Sequence, residues 1–537
     1  MNKLSVGLIT NSYVIANWQS KALNSIIGSS YADLTLVVVP EAPVKDPNQR
    51  IEESLFYRVY QRLEKTKLKR PPTARRTVDL SKTLSALPVV KIKPGQNQKQ
   101  IPAEQLDSIK EFNLDVLIDF SSLTLPDELY EIPKYGVWYL TFCGSREAPA
   151  GFWEVLKGLS YTTSELVMQS GPQPQIVIQS FSQVVPFSVK RTAEFNYWKS
   201  ASFIPRMMRL LYEKGPEGFK QQVMMPDRVE KNKGYRFPKG IYVLALIADF
   251  CKKYLHEKIF NRFYSEQWIL LYQINDQYSD AFGDYKRLVP PKNRFWADPF
   301  IYQKDQEYYI FLEESLMGKQ KKGFISVMTM DQLGNFNEPQ KIIEQPYHMS
   351  YPFLFEWQDE LYMLPESNAS GTIQLYKCQE FPHKWEFHKN LMKEILAVDS
   401  TLLFHQNKWW LFANISENPG SSTWDELFLF SADSPLSDHW RPHPLNPLVS
   451  DLRGARPAGG IIQRDGKIYR PAQNCAVRYG YGLKMYEIVT LSETDYKEVE
   501  VASYEPLWDP QIRGFHTINR EGKLTLIDGI LRESKFF

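Results

Sequence analysis

Three stretches of the chain align without a gap: residues 298–313 (DPFIYQKDQEYYIFLE), 351–366 (YPFLFEWQDELYMLPE) and 399–414 (DSTLLFHQNKWWLFAN). Each contains an apolar strand, a polar turn and a second, aromatic strand that ends in a polar residue. The same plan returns with small shifts at Arg456 and at His516. A repeat of about 50–60 residues suits a four-stranded blade. The sequence therefore predicts an all-β, five-bladed β-propeller in the C-terminal half.

The strand pairs predict which residues meet at the propeller axis. Each first strand begins at one end of the propeller, and the antiparallel second strand returns to that end. The polar residues expected around the resulting funnel are Asp298, Asp399, Arg456 and His516 on first strands, and Glu313, Glu366, Asn414 and Gln473 on second strands. Trp296, Tyr351 and Trp409 are expected to add aromatic faces. The four carboxylates are candidate catalytic groups and the other residues candidate substrate-binding groups, although any one of them alone could simply cap a blade.

Residues 1–195 alternate strand and helix. The predicted buried strands are LSVGLIT (4–10), LTLVVVP (34–40), LDVLIDF (114–120) and GVWYLTF (136–142), with helices near 14–27, 103–112 and 151–157. Apolar strands separated by helices are typical of an open parallel sheet covered on both faces. No G-x-G-x-x-G motif and no P-loop follows the first strand, so the usual dinucleotide and nucleotide fingerprints are absent.

Residues 196–265 are predicted to form a helical connector before the propeller at 266–537. A helix is expected to end at Gly215-Pro216, a loop to span 231–240, and a second helix to begin at Ile241. The second helix has a basic latter half, and it either docks the two halves of the chain or binds a partner or a membrane surface. Its apolar part is too short to cross a bilayer, so no transmembrane segment is expected.

The net charge, the cysteine count and the N-terminal sequence argue against several classes of protein. A net charge of +2 over 537 residues gives no sign of nucleic-acid binding. The basic stretch 65–76 is expected to be a solvated loop or, alternatively, a phosphate-binding patch. The four cysteines (Cys143, Cys251, Cys378 and Cys475) are far apart and form no C-x-x-C pair, which argues against a zinc cluster and fits a reducing compartment. The N-terminal residues lack a signal-peptide pattern, so a cytoplasmic location is expected. Nothing in the sequence identifies a cofactor.

The run 114–168 resembles the core of a formyltransferase domain. That family has a strand, a Leu-Pro turn and a Gly-x-x-Asn-x-His motif, followed by a loop with Arg-Gly and Pro, a tryptophan-bearing helix and a Thr-rich strand. Gly136 matches the first glycine of the motif, and Trp153 and Gly158 match the later helix. The resemblance implies the fold of the N-terminal domain.

The same resemblance argues against the family's chemistry. The Asn and His positions hold Tyr139 and Thr141, and no histidine precedes His256. The domain therefore cannot supply a histidine acid or base. Asp119 and Glu154 remain as carboxylates. A degenerate or repurposed domain is expected, with formyl or acyl transfer as the alternative.

The propeller resembles two related groups. WADPF (296–300) and the fivefold plan are similar to the arabinanase- and xylosidase-type glycoside hydrolases. A fuller set of motifs resembles the N-terminal propeller of plant glucosamine inositolphosphorylceramide transferases. That set is WADPF, HMSYPFLF (348–355), LYMLPES (361–367), FPHKW (381–385), HPLNP (443–447) and RPAGG (456–460).

The hydrolase resemblance implies roles for some of these residues. Asp298 matches the catalytic base, and Asp399 could match the aspartate that tunes it. The family's acid is expected on a later blade, where this chain has Arg456, whereas Glu313 and Glu366 lie on earlier second strands. Hydrolysis also requires two carboxyl groups at a set separation, which the sequence does not give.

We expect a carbohydrate-handling protein of glycan or glycolipid biosynthesis that binds sugar in the propeller funnel. One alternative is an active glycoside hydrolase or glycosyl transferase that uses Asp298 with Glu313 or Glu366. A second is formyl or acyl transfer in the N-terminal domain, and a third is a scaffold without a small ligand. A metal in the funnel stays open, with His516 as the candidate ligand.

Overall fold

The computed structural model describes residues 2–41, 64, 73–93, 101–121, 123, 125–146, 150–222, 241–316, 322–418 and 420–535. The predicted loop at 231–240 and most of the basic stretch at 65–76 lie outside these residues. The chain divides into two compact units. The first contains Met1–Lys252 with Asn418–Ser421, and the second contains Lys253–Glu417 with Ser422–Phe537.

The first unit is built on a seven-stranded sheet. Its strands and those of a small side sheet are β1 (Leu4–Ile9), β2 (Val14–Ala16), β3 (Ala32–Pro40), β4 (Thr77–Asp79), β5 (Val89–Ile92), β6 (Val116–Asp119), β7 (Val137–Phe142), β8 (Tyr161–Gln169) and β9 (Pro174–Gln183). The main sheet has the order β5-β3-β1-β6-β7-β8-β9. The first five strands in that order are parallel, and β8 and β9 extend the sheet with antiparallel pairing. The predicted α/β class with a largely parallel sheet is confirmed.

Helices lie between and after these strands: α1 (Asn17–Ile27), α2 (Ser81–Leu84), α3 (Ala103–Lys110), α4 (Asp127–Tyr130), α5 (Phe152–Lys157), α6 (Val189–Ser200), α7 (Phe203–Gln222) and α8 (Ile241–Phe263). No helix in the described part of the chain is both long enough and apolar enough to cross a membrane.

Two helix ends differ from the prediction. Residues 14–16, predicted to be helical, form β2 and pair with β4, because a partner strand at residues 77–79 is available to them. The helix predicted to end at Gly215-Pro216 continues to Gln222 after a kink. Gly215 has a φ of 66°, which a glycine adopts easily, and a proline fits the first turn of the helical segment that follows.

The second unit is a five-bladed propeller. Its strands are β10 (Tyr264–Ile274), β11 (Lys286–Leu288), β12 (Arg294–Lys304), β13 (Glu307–Leu316), β14 (Gly323–Met330), β15 (Gln340–Ile343), β16 (Ser350–Trp357), β17 (Glu360–Glu366), β18 (Thr372–Glu380), β19 (Lys384–Lys393), β20 (Ala397–His405), β21 (Lys408–Ile415), β22 (Leu427–Ala432), β23 (Arg441–Pro442), β24 (Ile462–Arg464), β25 (Lys467–Asn474), β26 (Gly482–Leu491), β27 (Tyr496–Tyr504), β28 (Ile518–Glu521) and β29 (Leu524–Ser534). The first four blades are β12–β15, β16–β19, β20–β23 and β24–β27.

The fifth blade closes the ring. It has the order β11-β10-β29-β28, so it combines the first strands of the unit with the last two. β10 pairs with β29 along its whole length, from Tyr264 opposite Ser534 to Ile274 opposite Leu524. The predicted five-bladed propeller is confirmed, together with the predicted pairing of WILLYQ (268–273) with the last blade.

Candidate functional site

Three first strands carry the same irregularity close to the propeller axis. In β12, β16 and β20 the pairing shifts register, and φ is 51° at Asp298, 47° at Tyr351 and 52° at Asp399. This left-handed backbone costs about 1–3 kcal/mol outside glycine and persists only where its surroundings enforce it. The Tyr351 hydroxyl lies 2.9 Å from the Thr401 hydroxyl and 2.9 Å from the backbone of Gly459, on the next two blades. The bulge thus directs this side chain across the axis.

Arg456 and Asp399 form one side of the centre. Arg456 Nε donates to Asp399 Oδ2 at 2.6 Å and Nη2 donates to Oδ1 at 3.2 Å. Gln473 Nε2 donates to the same carboxylate at 3.1 Å, and Glu366 Oε2 lies 3.5 Å from Arg456 Nη2. Burial alone would lower the pKa of Arg456, but Asp399 and Glu366 outweigh it and hold the pKa well above its ordinary value. The guanidinium therefore stays charged.

Asp298, His516 and Asp528 form the other side. His516 Nδ1 lies 2.5 Å from Asp528 Oδ2, and His516 Nε2 lies 3.6 Å from Asp298 Oδ1. The Thr517 hydroxyl donates to Asp298 Oδ1 at 2.7 Å. Asp528 also accepts from the backbone N–H groups of Asp298, His516 and Thr517. Burial alone would lower the pKa of His516, but the two aspartates raise it above its ordinary value.

The carboxyl groups of this centre differ in their affinity for protons. Burial, followed by repulsion from Asp298 and Glu366, raises the pKa of Glu313 well above its usual value. Burial and the neighbouring Asp399 do the same for Glu366. The pKa of Asp298 rises to about 6, chiefly through burial and against the attraction of His516. Protonated and ionised carboxyl groups can therefore coexist here near neutral pH.

His348 lies beside Glu313 and is the more accessible of the two. Its side chain is 43% exposed, and Nε2 lies 3.5 Å from Glu313 Oε1. Partial burial and the charge of Arg456 lower the pKa of His348. Its Nδ1 accepts a hydrogen bond from the Gly323 N–H at 2.9 Å, so the neutral ring carries its proton on Nε2, facing Glu313.

Three partly exposed aromatic rings border the centre, and we call them the aromatic triad: Trp268, Trp424 and Tyr479. The Trp268 ring stacks on His516 with centroids 4.2 Å apart. Tyr479 meets His516 edge-on at 5.2 Å, and the Arg456 guanidinium lies 5.0 Å from its ring centroid. Trp424 lies 5.3 Å from Tyr479. Aromatic faces and charged groups thus adjoin each other at one place.

We use the name central cluster for Asp298, Glu313, Glu366, Asp399, Arg456, His516 and Asp528. Six of its seven members were predicted from the sequence, and Gln473 contacts the cluster as expected. Asp528 was missed, although it closes the second strand of the fifth repeat (HTINREGKLTLIDG) just as Glu313 closes that of the first. The aromatic triad was missed as well, because only Trp268 lies on a strand.

The predicted aromatic faces are wrong. Trp296 is 1% exposed and packs in the core between blades. Trp409 lies near the hairpin turn of its blade, where it contacts Phe355 and Trp357. Tyr351 is fully buried, and its hydroxyl group is already hydrogen-bonded. Trp296 and Trp409 serve packing between neighbouring blades, whereas Tyr351 is held by its hydrogen bonds to Thr401 and Gly459.

Asn414 also differs from the prediction. Its side-chain amide donates to the carbonyl oxygen of Thr423, in a loop of its own blade, at 3.2 Å. It therefore holds that loop and makes no such bond to the central carboxylates. Its position at the end of a second strand is as predicted, but its side chain serves its own blade.

Asp298, His516 and Asp528 could also hold a cation. Each offers one ligand atom, and these atoms lie within 4.8 Å of one another. Oxygen and imidazole ligands suit several divalent ions, so this arrangement does not select one. In the structure His516 lies 2.5 Å from Asp528 and 3.6 Å from Asp298, so its positive charge offsets the repulsion between the two aspartates.

Asp119 and Glu154, the two carboxylates noted in the sequence of the first unit, are engaged in local contacts. Asp119 accepts from Arg146 at 2.5 Å and from the Ser121 hydroxyl at 2.6 Å. Glu154 is buried and accepts a hydrogen bond from the Thr162 hydroxyl. Formyl or acyl transfer in this unit stays a prediction, as does the specific resemblance to formyltransferases.

The motifs of the propeller agree with a sequence comparison to known proteins. Residues 287–508 match the family model described as glucosamine inositolphosphorylceramide transferase 1, N-terminal. Two proteins named glucosamine inositolphosphorylceramide transferase 1, from Oryza sativa subsp. japonica and from Arabidopsis thaliana, are each 33% identical to this chain over 213 residues. The match covers 39% of this chain and 28% of each relative, so the chain corresponds to just over a quarter of their length. The predicted resemblance to this N-terminal propeller is confirmed.

Solved structures with a similar outline include Zg3597, a family 117 glycoside hydrolase from Zobellia galactanivorans. It is 12% identical with a TM-score of 0.33 and covers 50% of this chain and 90% of its own. An exo-1,5-α-L-arabinanase from a bovine ruminal metagenomic library is 16% identical with a TM-score of 0.31, over 45% of this chain and 95% of its own.

Proposed function

We propose that the propeller binds a sugar at the central cluster, with the aromatic triad as its platform, in the biosynthesis of a glycan or glycolipid. The observation that carries this proposal is the stack of Trp268 on His516, which joins an apolar face to the charged centre. Sugar rings present C–H faces to aromatic rings and hydroxyl groups to carboxylates. The relatives' name combines glucosamine with inositolphosphorylceramide, so a sugar and a lipid of these classes are the first ligands to test.

The charge of the central cluster limits the chemical classes of ligand that it can bind. Four of its five carboxyl groups, Asp298, Glu366, Asp399 and Asp528, lie within 3.6 Å of the cationic side chains of Arg456 and His516. Such a centre accepts hydrogen bonds from hydroxyl groups or from the ammonium group of an amino sugar, and it repels phosphate and carboxylate groups close to Asp298 and Asp399. We therefore infer a neutral or amino sugar at this position.

A glycan array followed by calorimetric titration tests the proposal. We expect Trp268→Ala to weaken binding of the best glycan about tenfold or more, which is the scale of one aromatic contact with its buried area. Trp357→Ala is the matched control, since Trp357 is also partly exposed but lies at a hairpin turn away from the axis. Equal loss in both variants, or none in Trp268→Ala, contradicts the proposal.

A second candidate is cleavage or transfer of a glycosidic bond. The raised pKa values of Glu313 and Glu366 favour it, because a protonated carboxyl group beside an ionised one is the acid–base pair that this chemistry needs. Turnover of aryl glycosides or sugar-nucleotide donors that disappears in both Glu313→Gln and Asp298→Asn supports this candidate. Silence of the intact protein over a broad panel of both substrate classes removes it and leaves binding alone.

A further inference from the structure

Three arginine side chains surround one carboxylate beside the aromatic triad, and we call Arg478, Arg513 and Arg532 the arginine cluster. Arg478 donates to both carboxylate oxygens of Glu266, with Nη1 2.8 Å from Oε1 and Nη2 2.7 Å from Oε2. Arg532 Nη2 lies 3.7 Å from Glu266 Oε1, beyond hydrogen-bond distance. Arg513 is exposed and forms no ion pair with any described residue. Positive charge is therefore in excess at this place.

The charges of the arginine cluster are not balanced. Arg532 lies directly opposite Glu266 in the pairing of β29 with β10, and the Arg513 N–H donates to the Ile530 carbonyl oxygen of β29 at 2.8 Å. The hydrogen bond from Arg478 lowers the pKa of Glu266 most, and the charges of all three arginines lower it further, against partial burial. Burial and repulsion from Arg513 and Arg478 lower the pKa of Arg532, despite Glu266. One carboxylate thus does not offset the repulsion among the guanidinium groups, whereas an added anion would.

The arginine cluster adjoins the aromatic triad. Arg478 directly precedes Tyr479 in the chain, and Glu266 precedes Trp268 by two residues on β10. Residues two apart on a strand share a face of the sheet and lie about 7 Å apart. A ring that lies on the triad can therefore carry a substituent that reaches the arginines.

The carboxylates of the central cluster lie farther away. Arg532 follows Asp528 by four residues on β29, or about 14 Å of extended chain. This separation exceeds the Debye length of about 8 Å at physiological salt, so an anion held by the arginines is largely screened from Asp528. A guanidinium group binds phosphate through two parallel hydrogen bonds, which makes phosphate the anion that an arginine cluster suits best.

We propose that the arginine cluster binds the phosphate group of a phosphate ester whose ring lies on the aromatic triad. Two classes of molecule join a phosphate to a hydroxylated ring in this way: sugar phosphates, and phospholipids with an inositol headgroup. The proposal rests on the proposed sugar site, because that site holds the ring. The phosphate adds affinity of its own, which is measured by comparing each ester with its uncharged parent.

Calorimetric titration of the full chain with two matched pairs of ligands tests it. The pairs are N-acetylglucosamine with its 1-phosphate, and myo-inositol with its 1-phosphate. We expect at least one ester to bind about tenfold more tightly than its uncharged parent, which is the scale of one hydrogen bond to a charged group. High salt should reduce this gain. The pair that shows the gain identifies a sugar phosphate or a lipid headgroup as the source of the phosphate.

Substitutions assign the gain to the arginine cluster. Arg513→Gln should remove most of it, and Arg513→Lys should retain part of it because lysine keeps the charge. Arg464→Gln is the matched control and should keep the whole gain, since Arg464 is also exposed but lies at a hairpin turn of the fourth blade. Thermal unfolding followed by circular dichroism checks that all variants fold.

Two results would overturn the proposal. One is that neither ester binds more tightly than its parent, and the other is that Arg513→Gln keeps the gain that Arg464→Gln shows. A lack of any glycan binding in the array contradicts the proposed function. Glycan binding that depends on Trp268, without a gain from phosphate, contradicts this inference alone.

Discussion

Replacing Asp298 by Asn should change how the stability of the propeller depends on pH. Burial raises the pKa of Asp298 from 3.8 to about 6. A carboxyl group with a higher pKa in the folded protein holds its proton more tightly when folded, so the free energy of unfolding falls as pH rises from about 4 to about 6. At 1.36 kcal/mol per unit of pKa shift, the full loss in the free energy of unfolding is about 3 kcal/mol. The side chain is 5% exposed, so water screens little of this effect.

Urea unfolding of both proteins between pH 4 and pH 8 measures this loss. The stability of Asp298→Asn relative to the unaltered protein should increase by about 3 kcal/mol across that range, because asparagine does not ionise. Asp298 interacts electrostatically with both His516 and Glu313, so the curve belongs to the group of residues and not to Asp298 alone. Asp305→Asn, in an exposed turn of the same blade, controls for the substitution itself. A difference between Asp298→Asn and the unaltered protein that stays constant with pH refutes the assignment of a buried, ionising carboxyl group.

Three further substitutions test other parts of the site. Arg456→Met leaves buried carboxylates without their cation and should lower the free energy of unfolding in urea by about 3–5 kcal/mol. Arg453→Met, which removes a partly exposed pair, should lower it by less than about 1 kcal/mol. Gly480→Ala should weaken glycan binding, because φ is 62° there and a methyl group would lie 2.9 Å from the Trp268 ring; unchanged affinity in a titration contradicts this. Trp409→Ala should lower the thermal midpoint but leave glycan affinity intact in the protein that remains folded, since the ring packs between blades.

The repeats allowed most of the central cluster to be predicted. Strand pairs return to the end where they began, so residues that open and close them meet even when they are far apart in sequence, as Asp298 and His516 do. The same rule could have identified Asp528, which holds in the last repeat the position that Glu313 holds in the first. The bulges at Asp298 and Asp399 could not be predicted, because they are set by packing around the axis.

The positions of the aromatic residues at the site could not be predicted from the sequence. Trp409 was expected at the centre because it is aromatic and lies on a second strand, but it precedes Asn414 by five residues, or about 16 Å of extended chain. Trp424 and Tyr479 lie in loops, whose paths follow no period. Trp268 reaches the centre through the strand that closes the ring, a contact visible only once the ring is formed.

A crystal structure of the chain with its best glycan from the array would test the central claim most directly. The sugar ring should lie in van der Waals contact with Trp268 or Tyr479 and hydrogen-bond a carboxylate of the central cluster. Sugar density found only elsewhere on the protein, with Trp268 still stacked on His516 and untouched, would contradict it.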